Sequence, residues 1–427
     1  MHQAEMPTYL NEFKCIGPQC SDTCCSGWQV NIDKNTYKKI KILPKNALTE
    51  KINSSITLDS TNSWYAKIKM NENNTCPLLD EKDMLCSVQK SLGSEYLSST
   101  CRDYPRQYTG WGLDTQVIAT LSCPEAARLC LSGEKKWEIE KQPLSIPIGK
   151  KIPYSAGTSG NLIISPNLTH RKHKEIRDFS IKVLQDRSLE IWQRLLLLGL
   201  TCERIDALAD KGIETNSENE LEGLLLQARL AMLDGSFAEQ TKGLASGQNA
   251  MIAKQVFVRM MTDIRMMMAI TGAEIRINRA FSECITDVFT GLDYQDEDHK
   301  GNAERLSVAA TAFHNFEKEH PNFLENFLCN TIGIEVFPMG KLGSDKLPKK
   351  TTDQLIDILI NYSMVRFYLI GMQAYYKEQF AIEHCIKLVY SFAKTIQHNS
   401  QFLNLVHQKL KYEKLNSLAT MAILIKD

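Results

Sequence analysis

The chain has 427 residues, 43% apolar and 23% charged, which is enough to bury the cores of two or three domains and too apolar for general disorder. Its 50 basic residues cancel its 50 acidic ones, so no global field concentrates nucleic acid, an anionic membrane or an acidic substrate, and neither nucleic acid nor membrane is expected as a partner. Residues 1–14 lack a basic head followed by an apolar stretch, and the stretch from Leu355 to Met372 is interrupted by Asp357, Asn361 and Arg366, so the expectation is a cytoplasmic protein with no secretory signal and no membrane span.

Up to about residue 130 the sequence is loop-rich. Gly17-Pro18, Ser26-Gly27, Cys76-Pro77, Tyr104-Pro105 and Gly110-Trp111-Gly112 interrupt any long periodicity. Short strands are predicted over 28–32 and 115–121 and a short helix over 124–131. Residues 1–140 are therefore read as one cysteine-rich metal domain. Pro143, Pro147, Gly149, Pro153, Gly157, Gly160 and Pro166 mark a connector over 141–167. Residues 168–427 then form a helical domain. Phe179, Val183, Ile191, Leu195 and Leu198, followed by Ile205 and Leu208, recur at helical spacing with charges between them. Further helices are predicted over about 218–235, 250–272, 301–317, 321–332, 352–379 and 381–410, with loops around 241–247, 293–302 and 340–350. The fold class expected is mainly α: a loop-rich N-terminal cysteine and metal-cluster domain followed by a large helical region.

Cysteine usage stands out. Of 13 cysteines, Cys15, Cys20, Cys24, Cys25, Cys76, Cys86, Cys101, Cys123 and Cys130 all precede residue 131. In a reducing cytosol such density points to metal binding rather than disulfides, and the odd total agrees. Cys15-x4-Cys20-x3-Cys24-Cys25 forms one group and Cys76-Pro-x8-Cys86 a second, with Cys101 and Cys123 in turn-rich surroundings. These eight are the predicted metal ligands; Cys130 and the four later cysteines are read as packing residues. No histidine lies between His2 and His170, so the ligand set is expected to be all sulfur, suited to zinc or to an iron–sulfur cluster. Spacing alone leaves that choice open. The adjacent side chains of Cys24 and Cys25 leave the backbone in different directions, so only one of them is expected at the centre that Cys20 joins.

A Cys-x3-Cys-x2-Cys pattern, which radical S-adenosylmethionine enzymes use, begins at Cys20 and Cys24 and meets Gly27 where the third cysteine belongs. Arg102 and Arg106 can either offset cluster charge or remain solvated. Asp22 and Asp33 are expected to fix loops through hydrogen bonds to the backbone. Met260, Met261, Met266, Met267 and Met268 read as core packing. His170 and His173, flanked by basic residues, read as solvated surface. No nucleotide-binding glycine loop and no nucleophile elbow is present. Neither a catalytic residue nor a cofactor pocket is marked.

Several motifs together resemble a known family: Phe13-Lys14-Cys15, Asp22-Thr23-Cys24-Cys25-Ser26-Gly27-Trp28, Cys76-Pro77-Leu78-Leu79-Asp80, Leu85-Cys86-Ser87-Val88-Gln89, Cys101-Arg102-Asp103-Tyr104-Pro105 and Ser122-Cys123-Pro124-Glu125. The chain resembles the bacterial flagellin lysine-N-methylases, and the same elements are similar to the wider family of zinc- or iron-chelating cysteine-cluster proteins. The match covers roughly residues 7–130; in the helical part it reduces to stretches such as Phe323-Leu324-Glu325-Asn326-Phe327. The resemblance implies methyl transfer from S-adenosylmethionine to flagellin lysines by a protein with an iron–sulfur cluster, expected to be a 4Fe-4S cluster, on the N-terminal cysteines. The helical domain would then help to hold flagellin. The alternative from the residues themselves is a zinc-stapled protein-binding module with no chemistry of its own.

Overall fold

A computed structural model describes residues 2–59, 64–111, 114–144, 168–211, 217–242, 251–252, 254–262, 278–340, 350–397, 408–413 and 417–426. The architecture is mainly α. Among the described residues nine short strands lie in the N-terminal part: His2–Pro7 (β1), Asn31–Ile32 (β2), Ile56–Leu58 (β3), Ala66–Ile68 (β4), Leu79–Asp80 (β5), Leu85–Cys86 (β6), Arg106–Trp111 (β7), Asp114–Ala119 (β8) and Ile139–Leu144 (β9). They form a four-stranded sheet in the order β7-β8-β1-β9, a three-stranded sheet β2-β4-β3 and the ribbon β5-β6. β1 runs parallel to β8, with Ala4 opposite Thr115, and antiparallel to β9, with Ala4 opposite Gln142.

The strand predicted over 115–121 forms as β8, whereas that predicted over 28–32 shrinks to β2. β9 carries no apolar alternation and β1 only the brief Ala4–Met6 alternation; β1 is set by pairing with both β8 and β9. β9 also runs across the domain boundary expected at residue 140, so the sheet reaches into the predicted connector; residues 145–167 lie outside the described residues.

The three-stranded sheet packs with two capped helices. Asp33 caps Lys34–Lys41 by accepting from the Thr36 amide at 2.9 Å, and Asn46 with Thr49 forms a capping box on Ala47–Ser54. Val30, Ile32, Ile40, Ile52, Ala66 and Ile68 make a small core, against which Cys25, Cys76, Cys86 and Cys101 pack.

The helical part is built around Thr351–Tyr376, which is long and apolar enough to cross a membrane, yet 89% of its apolar window is buried inside the protein. It is a core helix. The Arg279–Gly291 helix, which the sequence reading left unassigned, crosses it closely: a Cβ at Gly291 would lie 2.3 Å from the Gly371 carbonyl oxygen, and one at Gly371 would lie 2.5 Å from Val288 Cγ1. Gly291→Ala must push these two backbones apart and should cost about 3 kcal/mol in urea unfolding, against little change for Gly223→Ala, where nothing lies within 4 Å of the added Cβ.

Other predicted helices appear as His173–Leu184, Ile191–Asp210, Ser217–Leu233, His299–Glu319 and Pro321–Ile334. The predicted 381–410 helix contains Ile382–Phe392 followed by a π-helical turn, Ala393–Gln397; residues 398–407 lie outside the described residues. Pro124–Leu131 is helical as predicted, and its Ala127, Cys130 and Leu131 join the main helical core. Met260 and Met261 are buried there, whereas Met266, Met267 and Met268 lie outside the described residues. Cys130, Cys202, Cys284, Cys329 and Cys385 are all buried in that core, as packing residues should be.

Buried polar groups join the two parts. Arg177, 2% exposed, donates to Glu5 of β1 and Gln116 of β8, each at 2.8 Å. Asn326 accepts from the Trp137 amide at 2.9 Å and donates to the Cys130 carbonyl at 3.0 Å. Next to it, within the helical part, Glu325 receives Arg187 and Arg194.

The reading of His170 and His173 as solvated surface is overturned: both are buried. The basic residues between and beside them take the outer face, where Arg171 pairs with Glu218 at 2.9 Å and Lys172 with Glu175 at 3.3 Å. Burial lowers His170 and pushes His173 down to about 4. The unfolded chain therefore takes up the His173 proton near ~6.5 while the folded protein resists it, so stability is lost as pH falls below the unfolded value. Between pH 6.5 and 5, above the range of paired carboxylates, unfolding should lose up to about 2 kcal/mol, and His173→Gln should flatten that slope.

Candidate metal centre

Five of the eight predicted ligands line one cavity of about 70 Å³: Cys24, Cys25, Cys76, Cys86 and Cys101, with Trp28, Val30, Ile68, Leu97 and Tyr104 among the walls. They arrive from separate segments, and each segment is held locally. Cys24 and Cys25 sit on a turn in which Thr23 Oγ1 accepts from the Cys25 amide at 3.1 Å, and Trp28 Nε1 donates to the Cys24 carbonyl at 2.7 Å. The Cys76 amide donates to the Cys25 carbonyl at 2.7 Å, and Gly27, at φ +89°, donates to the Asn74 carbonyl at 3.1 Å. Cys86 ends β6 and precedes the Ser87–Leu92 helix, while Cys101 lies in Ser99–Asp103, where Ser98 Oγ accepts from its amide at 3.3 Å. Trp28 packs on Tyr104 with ring centroids 5.1 Å apart and closes one wall.

The thiols interact with one another. Cys25 hydrogen-bonds both the Cys24 and the Cys86 sulfurs; this interaction pulls Cys86 down to about 6 and lowers Cys24, while Cys25 itself is raised. Burial pushes Cys101 up to about 12 and raises Cys76. No cysteine of the chain is in a disulfide. Among the described residues no three donors close on a point that would hold a single ion. Five soft donors around one cavity have the chemistry of a zinc or an iron–sulfur site.

The other three predicted ligands stand apart from this cavity. Cys15 is exposed, and Cys20 is raised chiefly by burial. Cys123 is buried beside Ala4, Phe13 and Val117 and is pushed up to about 12 by burial. Both Cys24 and Cys25 line the cavity, which Cys20 does not join.

Arg106 is not a partner of the thiols: its guanidinium lies over the Phe13 ring at 4.8 Å. Arg102 faces Asp103 at 3.6 Å. The cation that reaches the cysteine loop is instead Lys394, whose Nζ donates to Asp22 Oδ2 at 2.8 Å and to the Thr23 carbonyl at 2.7 Å. Asp22 also accepts from its neighbour, the Thr23 amide, at 2.7 Å, the loop-fixing role read from the sequence. A larger open concavity of about 660 Å³, shared by Gly291, Asp293, Arg305, Val308, Ala312 and Lys377, has no residue in common with the cysteine cavity and is of a size that takes nucleoside-sized ligands.

Residues 177–424, more than half of the chain, match the family model described as the FliB lysine N-methylase C-terminal domain. The chain belongs to the FliB lysine N-methylase family. The family signal thus runs through the helical part, where the sequence reading saw only scattered similarity. Among similar proteins, the flagellar biosynthetic protein FliU of Salmonella muenchen is 38% identical over 140 residues, 30% of this chain and 82% of that protein. The lysine-N-methylase of Salmonella choleraesuis is 37% identical over 128 residues, and that of Salmonella typhimurium 36% over 129; each alignment covers 30% of this chain and 32% of the relative. The aligned part is therefore about a third of the length of those two lysine-N-methylases. No solved structure matches the chain.

Proposed function

We propose that this FliB-family protein is a cytoplasmic lysine N-methyltransferase that moves a methyl group from S-adenosylmethionine to flagellin lysines and carries an iron–sulfur cluster in the five-thiol cavity. The observation that carries the reading is the convergence of Cys24, Cys25, Cys76, Cys86 and Cys101 on one cavity, within a chain of this family. The names of the Salmonella relatives, one flagellar and two lysine-N-methylases, support the substrate class.

Cys24 and Cys86 are the thiols with lowered proton affinity, so they are the donors closest to thiolates near neutral pH, while Cys25 supplies the hydrogen bonds that keep them so. Cys76 and Cys101 are held protonated by burial until a metal replaces the proton. When bound, the cluster would supply an electron-transfer centre and a crosslink between otherwise separate loops. Methyl transfer itself requires the substrate lysine, with a reference pKa of ~10.4, to lose its proton to solvent before its nitrogen attacks the sulfonium methyl, whose C–S bond breaks to release the thioether S-adenosylhomocysteine; desolvation on docking against the protein would favour that neutral amine. A cavity of about 70 Å³ is too small to admit that lysine together with its cofactor, so the thiol pocket is a holder rather than the place of transfer.

The test is to incubate anaerobically reconstituted full-length protein with S-adenosylmethionine and flagellin and to map lysines by mass spectrometry. Added methyl mass is the expected result. Unmodified flagellin under both reducing and non-reducing conditions would overturn the assignment.

A further inference from the structure

The cysteine loop is held from the far end of the chain. Lys394 lies in the π-helical turn Ala393–Gln397, and its side chain is 10% exposed. Its ammonium donates to Asp22 Oδ2 at 2.8 Å, to the Thr23 carbonyl at 2.7 Å and to Ser26 Oγ at 3.3 Å, so that three donors meet three acceptors of one loop. Its aliphatic stem packs against Gly27, where an added Cβ would lie 3.4 Å from Lys394 Cε. The same Asp22 oxygen accepts from Asn278 Nδ2 at 2.9 Å, while Asn278 Oδ1 caps the Arg279–Gly291 helix through the Ala280 amide at 2.8 Å. Asn278 is in turn tied to the Lys394 turn, its amide donating to Thr395 Oγ1 at 3.3 Å. Asp22 is thus gripped by one charge and one amide, both from the helical part, immediately before Cys24 and Cys25.

Charge decides why this arrangement matters. A buried ammonium without its carboxylate is costly, and a carboxylate beside thiolates is repelled by them; together they form a neutral pair, in which Lys394 cancels the Asp22 charge that would otherwise stand beside the cysteine sulfurs. Neither arginine of the Cys101-Arg102-Asp103-Tyr104-Pro105-Arg106 segment takes that place.

We propose that Lys394, through Asp22 and with Asn278, is the positioning residue that sets the Cys20–Gly27 loop and thereby the sulfurs of Cys24 and Cys25, so that the thiol pocket is complete only when the helical domain is docked on it. The inference rests on the reading of that pocket as a metal site for its consequence, and not for the clamp itself. It couples loss of the metal to movement of the helical region that the proposed substrate would use.

The variants are Lys394→Met, which keeps the stem and removes the charge, Asp22→Asn, which removes it from the loop side, and Lys394→Arg as the conservative rescue. Lys387→Met, which breaks only a rim pair with Glu283, is the control. In full-length reconstituted protein, Lys394→Met and Asp22→Asn should release metal to a chelator about 10–100-fold more readily than wild type and shift the visible spectrum, while Lys394→Arg recovers most of the retention and Lys387→Met matches wild type. A second readout needs no metal: in the reduced apo protein, Cys24 and Cys25 should be alkylated several-fold faster in Lys394→Met than in wild type, with Cys130 unchanged as the internal check on folding. If wild type itself retains no metal, the metal reading fails while faster alkylation still supports the clamp. Equal alkylation rates for Cys24 and Cys25 in wild type and Lys394→Met overturn the clamp, whatever the metal content.

Discussion

Cys86→Ser should strip the protein of its metal, whereas Cys15→Ser should keep it. Cys86 lies on the cavity wall, carries the most depressed thiol and shares the Cys25 hydrogen bond, so its loss removes one donor and releases the interaction that organises a second. A serine oxygen is a harder and far less acidic donor than a thiolate and replaces it poorly on a soft centre. Because the surrounding core is small, made by residues such as Val30, Ile40, Ile52 and Leu97, losing the crosslink should also lower the melting temperature of the N-terminal part. Cys15 is exposed and outside the cavity. Iron per protein after anaerobic reconstitution reads both variants, and wild-type iron in Cys86→Ser would remove that residue from the ligand set. Cys130→Ala, deep in the helical core, should lose stability with its metal intact.

Glu325→Gln should be the most destabilising single change away from the cysteines, at about 3–5 kcal/mol. Glu325 is fully buried, and its carboxylate faces Arg194 at 3.0 Å and Arg187 at 3.1 Å. Arg194 is fixed by donation to the Leu184 and Leu189 carbonyls, both at 2.8 Å, and cannot swing out to water. The amide variant therefore leaves the buried Arg194 guanidinium of Ile191–Asp210 without a counter-charge, packed against the Pro321–Ile334 helix whose Asn326 and Asn330 bond Trp137 and β8 of the N-terminal part. Urea unfolding of Glu325→Gln reads the loss; Lys242→Ala, whose pair with Glu239 is largely exposed, should leave the midpoint where it is. A loss under about 1 kcal/mol in Glu325→Gln would contradict the role given to this network.

Residue type and local periodicity made part of this legible. The all-sulfur character of the site, the Pro124–Leu131 helix, β8 and most helices after residue 168 follow from patterns within ten or twenty residues. The Arg279–Gly291 helix also carries its signal, an Asn278 cap followed by Phe281, Cys284, Ile285 and Val288 on one face. Which five of eight cysteines meet was not legible, because it depends on how turns at Thr23–Ser26 and Asn71–Cys76 are pinned to each other. β9 is a polar strand specified by the edge of β1 rather than by alternation. His170 and His173 misled because flanking charges at adjacent helix positions lie on a different face from the residues they flank. Lys394 lies 372 residues from Asp22, and nothing in its own neighbourhood marks it.

The central claim is that the N-terminal thiols hold an iron–sulfur cluster in a FliB-family protein, and elemental analysis with visible absorption of anaerobically purified full-length protein tests it most directly. The account predicts coloured protein with iron and acid-labile sulfide in equal amounts, both lost in Cys86→Ser. Colourless protein containing zinc and no iron would contradict it.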